Sequence, residues 1–227
     1  MASSALSFRS INYPVLDEQE RLQRIVQFAR VIATRRSVRE FSAEPVPFEL
    51  IDQAIAIANT APSGANKQPW RFVVVENVEL KRRLRIAAEK EEWEFYHNRA
   101  TPEWLADILP LGTSWQKPYM ESAPYLIIVF RQDYELRLGP DGTPCQHSNY
   151  QVNESVGIAV GFLLAALHVA GLATLVHTPS PMGFLVKELG RPANERPFAI
   201  IPVGYPAENA QAPDLVKKSL EDVRLRL

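Results

Sequence analysis

Arg35-Arg36-Ser37-Val38-Arg39-Glu40-Phe41 and, about a helix further on, Ala61-Pro62-Ser63-Gly64-Ala65-Asn66-Lys67-Gln68-Pro69-Trp70 are the two stretches on which the fold turns. The first sets three guanidiniums and a hydroxyl within five positions. Guanidinium forks meet phosphate oxygens two at a time and also lie along the polar edge of a heterocycle. The second is a small-residue loop stiffened by prolines, where backbone N–H groups can approach a ligand unobstructed. Together they suit a flat, phosphorylated cofactor held at both ends. The arginines alone read equally well as a solvated cationic cluster at a helix C-terminus.

Working outward, 17–34 is expected as a helix, acidic in its first turn, with Ile25, Phe28, Ala29 and Ile32 on one face. Pro47 suits the start of the next helix, which should carry Phe48, Ile51, Ile55 and Ala58 inward as far as Asn59. Arg71–Val75 reads as a buried strand. Asn77 can cap a helix from Val78 to about Tyr96. The segment 101–119 shows only weak periodicity. Tyr125–Arg131 is a second strand, and 132–150, with Gly139-Pro140-Asp141-Gly142, is a hairpin or loop. A long apolar helix from about Asn153, short strands at 172–176 and 198–203, and a helix at 184–189 complete the pattern. From Ala207 the chain is a charged, proline-marked tail. Alternating helices and three or four buried strands indicate an α/β or α+β domain.

The chain's 227 residues suffice for one good core, and a second independent domain is not expected. A formal charge of −1, from 25 basic and 26 acidic residues, argues against nucleic-acid or polybasic membrane binding. Cys145 is the lone cysteine, and His97, His147, His168 and His177 lack ligand spacing, so no metal is expected. The first 13 residues lack a signal-peptide pattern. The apolar stretch 156–176 approaches membrane-spanning length, but Gly171 falls where a helix should stop, and a core helix in a dimer is the preferred reading.

R-R-S-V-R-x-F followed by A-P-S-G-A-x-x-x-P-W resembles the flavin-binding region of the nitroreductase superfamily, and most of all its iodotyrosine deiodinase branch. The resemblance spans about Arg35 to Lys217. It implies a nitroreductase-like fold, a mixed sheet wrapped by helices, and an intimate homodimer of the domain-swapped type with FMN sites at the interface. Residues 1–34 would then be an N-terminal helical extension, 35–206 the FMN domain with a lid at about 90–120, and 207–227 a tail reaching the phosphate site. By that likeness Arg35, Arg36, Ser37 and Arg39 hold the ribityl phosphate and one flavin edge. Lys217 stands where deiodinases typically carry Arg, and it offers charge without a bidentate fork. Pro62, Ser63 and Gly64 would meet the flavin from the partner subunit. Asn66 sits where many nitroreductases bond the ring, although a loop-capping role is as plain a reading. A hydroxyl at Thr178 would bond flavin N5, with His177 as a flavin neighbour.

Glu92 and Tyr96 lie four apart, hence on one helix face, and Lys117 follows one element later. On their own they are ordinary surface residues. In the deiodinase pattern E-x-x-x-Y and W-x-K, Glu92 pairs the substrate ammonium while Lys117 and Tyr96 hold its carboxylate. The Ala65 N–H would meet the phenolate. The implied activity is FMN-dependent reductive dehalogenation of halotyrosines by a soluble, cytoplasmic enzyme, with electrons from NAD(P)H or a separate reductase. Two other readings stay open: an NAD(P)H-dependent nitro, quinone or flavin reductase, and a flavin- or aromatic-amino-acid-binding protein without turnover.

Overall fold

Four helices among the described residues begin at a side-chain cap that the sequence supplies, at Asp17, Asn77, Thr101 and Ser219. The structure, a computed structural model, describes residues 8–227, so part of the N-terminal stretch read for a signal peptide lies outside the described residues. Two compact units are present, 1–34 and 35–227. The first contains α1 (Glu18–Ala33), whose N-cap Asp17 accepts from the Glu20 N–H at 2.8 Å, and none of whose residues is buried.

The second unit opens with α2 (Phe48–Ala58), β1 (Trp70–Val75) and α3 (Val78–Glu94), the last capped by Asn77 accepting from the Leu80 N–H. A π-turn at Phe95–Arg99 and α4 (Pro102–Ile108) follow. The weakly periodic segment is thus more regular than expected, because Thr101 caps α4 and Pro102 fills its first turn. Then come α5 (Tyr119–Ser122), β2 (Tyr125–Gln132), the hairpin β3 (Tyr134–Leu138) and β4 (Pro144–Ser148), α6 (Val152–Val169), β5 (Ala173–Thr174), α7 (Gly183–Glu188), β6 (Glu195–Gly204) and α8 (Leu220–Val223).

The main sheet runs β1-β2-β6-β5 with antiparallel ladders, and its parallel character enters through the isolated bridge Ser37–Thr174. In β2, alternate residues feed opposite faces. Ile127 and Val129 pack with Ile51, Ala54 and Leu163 of α2 and α6; Leu126, Ile128 and Phe130 pack with Leu84, Met120 and Leu185 beneath α3, α5 and α7. Covered on both faces, β2 reads as a continuous apolar run.

Two expectations are corrected. In β1 only Trp70 and Val75 are buried, since an edge strand has one ladder neighbour. In α2 the inward face is Ile51, Ala54 and Ala58, leaving Phe48 45 % exposed at the first turn. Helix α6 is apolar and long enough to cross a membrane by composition, yet Val156, Ala159, Val160, Leu163 and Leu167 pack into the core. Its other face leaves Ile158 and Phe162 exposed.

Candidate active site

The arginine segment leaves α1 extended and is pinned beside β5, with the Val38 N–H donating to Thr174 O at 3.0 Å. That pinning aims Arg35, Arg36, Ser37 and Arg39 into a cleft of about 100 Å³. Lys217 lines the same cleft, although it is distant in sequence. It arrives because the tail folds back: the Ala207 N–H donates to Glu40 O at 3.0 Å and the Gln211 N–H to a Glu40 carboxylate oxygen at 2.9 Å. Five groups able to hold a phosphorylated ligand therefore converge. The Arg39 Nε is buried without a hydrogen-bond partner among the described residues, an orphaned donor in a cationic cleft.

Arg39 and Leu111 also line a second, larger cavity of about 460 Å³. Its roof is the segment from the end of α3 through α4, which contributes Phe95, Tyr96, Trp104 and Ile108. Its floor is His177 and Thr178, beyond β5. Glu92 and Lys117 meet inside, with Lys117 Nζ 3.1 Å from Glu92 Oε2. Both are buried, at 9 % and 2 % exposure. The ammonium also donates to Ser114 O and, at 3.3 Å, to Thr113 Oγ1, and it lies 5.5 Å from the Tyr96 ring centroid. The Lys117 N–H donates to Glu89 Oε1 at 2.8 Å, which fixes the turn carrying the ammonium.

Burial dominates the electrostatics. It raises the Glu92 carboxyl above the usual carboxylate range, against the opposing pull of Lys117. It lowers the Lys117 ammonium, against the pull of Glu92. Burial also raises the Tyr96 phenol, with a hydrogen bond from Thr113 opposing. His177 is pushed down to about 3 by burial and then by the charges of Lys117 and Arg39, so its ring is neutral near pH 7. The cavity thus offers one acid, one ammonium, the Arg39 guanidinium and a neutral imidazole between aromatic walls. That is a complement to a small aromatic zwitterion, because each charge of such a ligand finds an opposite one.

The small-residue loop lines neither cavity within this chain. It is held elsewhere: the Gly64 N–H donates to Ser155 Oγ at 3.3 Å, and Lys67 Nζ lies 3.4 Å from Glu135 Oε1 and 3.3 Å from His147 Nδ1. Ala65 and Asn66 adopt left-handed backbone, with φ of 50° and 53°. An added Cβ at Gly64 would sit 2.9 Å from Tyr150 O, so that position has no room for a side chain. One chain therefore gathers Arg35, Arg36, Ser37, Arg39 and Lys217 at one cleft, and Glu92, Tyr96, Lys117, His177 and Thr178 at the adjoining cavity. Pro62, Ser63, Gly64, Ala65 and Asn66 stand apart from both.

Sequence reasoning did not single out Tyr119, Trp104 or Thr113. Tyr119 is buried, packs edge-on to His177 at 5.7 Å, and has its phenol raised by burial. Trp104 and Thr113 sit in the irregular segment, where no periodicity marks an inward face.

Residues 32–205 match the nitroreductase family. Iodotyrosine deiodinase of Haliscomenobacter hydrossis is 55 % identical over 202 residues, covering 89 % of each chain. The enzyme of that name from Homo sapiens is 41 % identical over 219 residues, 96 % of this chain and 73 % of its own. A crystal structure of oxidized iodotyrosine deiodinase bound to FMN and 3-iodo-L-tyrosine superposes with a TM-score of 0.72 at 33 % identity, covering 85 % of this chain and 96 % of that one. By the span of the family match and the identity to these relatives, the chain belongs to the nitroreductase family, in its iodotyrosine deiodinase branch.

Proposed function

We propose that this chain is an FMN-dependent reductive dehalogenase of halotyrosines. The observation that carries the reading is the buried Glu92–Lys117 pair inside an aromatic-walled cavity that adjoins the arginine cleft through Arg39. A general nitro or quinone reductase has no use for a buried acid and ammonium facing one another, and burying them is costly.

The cationic cleft fits the phosphate of FMN, with Arg35, Arg36, Ser37 and Lys217 as its ligands. The orphaned Arg39 Nε fits the polar edge of the ring. FMN, when bound and reduced, would supply the two electrons with which the aryl carbon takes up a proton and releases halide. The chain's own residues do the rest. The substrate ammonium displaces Lys117 from Glu92, and the substrate carboxylate takes the freed Lys117 with Tyr96. This exchange replaces one buried ion pair by two without adding net charge. The lid residues Phe95, Trp104 and Ile108 exclude water from the ring. Thr178 offers its hydroxyl to the flavin from the cavity floor, with His177 beside it.

Completing the site requires a second copy. The loop from Pro62 to Asn66, whose Ala65 N–H would meet the phenolate, joins the cavity from the partner across a homodimer. The exposed face of α6 supports this assembly: Ile158 and Phe162 flank Gly157 and Gly161, whose bare backbone lets a second helix approach closely. The enzyme works in the cytoplasm, where the unpaired, exposed Cys145 stays reduced. NAD(P)H or a separate reductase supplies the electrons. The test is anaerobic: dithionite-reduced, FMN-loaded protein is mixed with iodo-, bromo- and chlorotyrosine. Tyrosine and free halide are expected. Binding without halide release would overturn the proposal and leave a flavin protein that only captures aromatic amino acids.

A further inference from the structure

His177 lines the cavity with a polar atom that has no assigned task. Its side chain is buried at 7 % exposure, and its Nε2 has no hydrogen-bond partner among the described residues. The backbone cannot swing it away, because His177 N–H and C=O both bond Ile200 of β6, at 2.9 and 2.8 Å. Tyr119 backs the ring edge-on. Nε2 lies 3.9 Å from Glu92 Oε1, the carboxylate oxygen that Lys117 does not take. A bare imidazole lone pair aimed at a buried carboxylate oxygen would be repelled by it. A neutral ring in this place is therefore stable only with the proton on Nε2.

We propose that His177 is a positioning residue for the substrate ammonium, acting through Glu92; this rests on the halotyrosine reading above. In the structure Lys117 holds Oε2, and Oε1 stands just beyond bonding reach of Nε2–H. When the substrate draws Lys117 off to its carboxylate, Glu92 loses its closest partner. A small swing of the carboxylate brings Oε1 onto Nε2–H, which holds Glu92 ionised and faces Oε2 toward the incoming ammonium. His177 thereby does for Glu92 what the Glu89 bond does for the Lys117 turn.

The experiment compares FMN-loaded wild type with His177→Phe, which keeps a ring against Tyr119 but has no donor, and with His177→Gln, which keeps an N–H. Flavin fluorescence quenching gives Kd for 3-iodotyrosine and for 2-iodophenol, which has the ring and halogen without the zwitterion. The ratio of the two affinities should fall about tenfold in His177→Phe, the scale of one hydrogen bond to a charged group, and recover in His177→Gln. In a Glu92→Gln background His177→Phe should leave the ratio unchanged. An unchanged ratio in His177→Phe, or effects that simply add to those of Glu92→Gln, would overturn the assignment. Independent of any variant folding, nitrogen-15 NMR of the wild-type holoprotein must find the proton on Nε2; a proton on Nδ1 ends the proposal. Wild type that fails to bind 3-iodotyrosine at all refutes the substrate reading instead, so the two failures are distinct.

Discussion

Glu92→Gln and Lys117→Met, made singly and together, separate what this pair does for stability from what it does for binding. Glu92→Gln leaves the ammonium still donating to Ser114 O and Thr113 Oγ1, so the loss should be about 1–2 kcal/mol. Lys117→Met strands a carboxylate whose nearest other partner, His177 Nε2, is 3.9 Å away; about 3 kcal/mol should be lost. The double variant strands neither charge and leaves only a neutral amide at 92 to satisfy, so it should recover to within about 1–2 kcal/mol of wild type. At this chain length 1 kcal/mol moves Tm by about 2–4 °C, well within reach of melts followed by circular dichroism. Binding should go the other way. Each charge-assisted contact to the substrate is worth about 1.5–3 kcal/mol, so the double variant should lose about two to four decades of affinity for 3-iodotyrosine. A double variant that melts below both singles would refute the reasoning, as would one that keeps iodotyrosine affinity within about tenfold of wild type.

Gly64→Ala should cost about 1–3 kcal/mol and displace the loop, because the new Cβ meets the Tyr150 backbone, which cannot yield; the denaturation midpoint and iodotyrosine Kd would both move. Phe162→Glu, on the exposed face of α6, should give monomers by analytical ultracentrifugation, and those monomers should lose FMN on gel filtration. Acidification should destabilise the fold through His177. Its folded-state value, about 3, lies below the ordinary 6.5, so its contribution is complete above pH 6.5 and lost as pH falls toward 3. The slope is at most about 1.4 kcal/mol per pH unit, and urea titrations of His177→Phe should lack it.

The sequence was legible where a single physical cause acts locally. Asn77 caps the helix it was assigned, the helix read from 17 begins at Glu18, and the apolar run of β2 lies inside the sheet. The pairing of Glu92 with Tyr96 on one face follows from helical spacing, but their burial does not. Glu92 is inside because α4 and the 109–117 turns fold over it, and those turns are written in caps and prolines rather than in periodicity. The partial exposure of β1 was illegible for a related reason: an edge strand and a central one can carry the same apolar run, and only the ladder order tells them apart. Lys217 could be matched by likeness alone, since the bonds from Ala207 and Gln211 to Glu40 that return the tail leave no local pattern.

The loop at 61–69 joins these threads. Three of its non-glycine residues, Ala65, Asn66 and Gln68, hold left-handed backbone, each at a cost of about 1 kcal/mol or more. No core contact repays that cost, since Ala65 and Asn66 are not buried. The shape persists because two neighbours and one bond within the loop hold it: Ser155 of α6 accepts from the Gly64 N–H, the β3–β4 hairpin grips Lys67 through Glu135 and His147, and Ser63 accepts from the Gln68 N–H at 2.9 Å. The hairpin adds nothing to the main sheet. Its contact with Lys67 gives it a purpose: it stiffens a strained loop that stands apart from its own subunit's cavity and whose Ala65 N–H, in the proposed dimer, would serve the partner's.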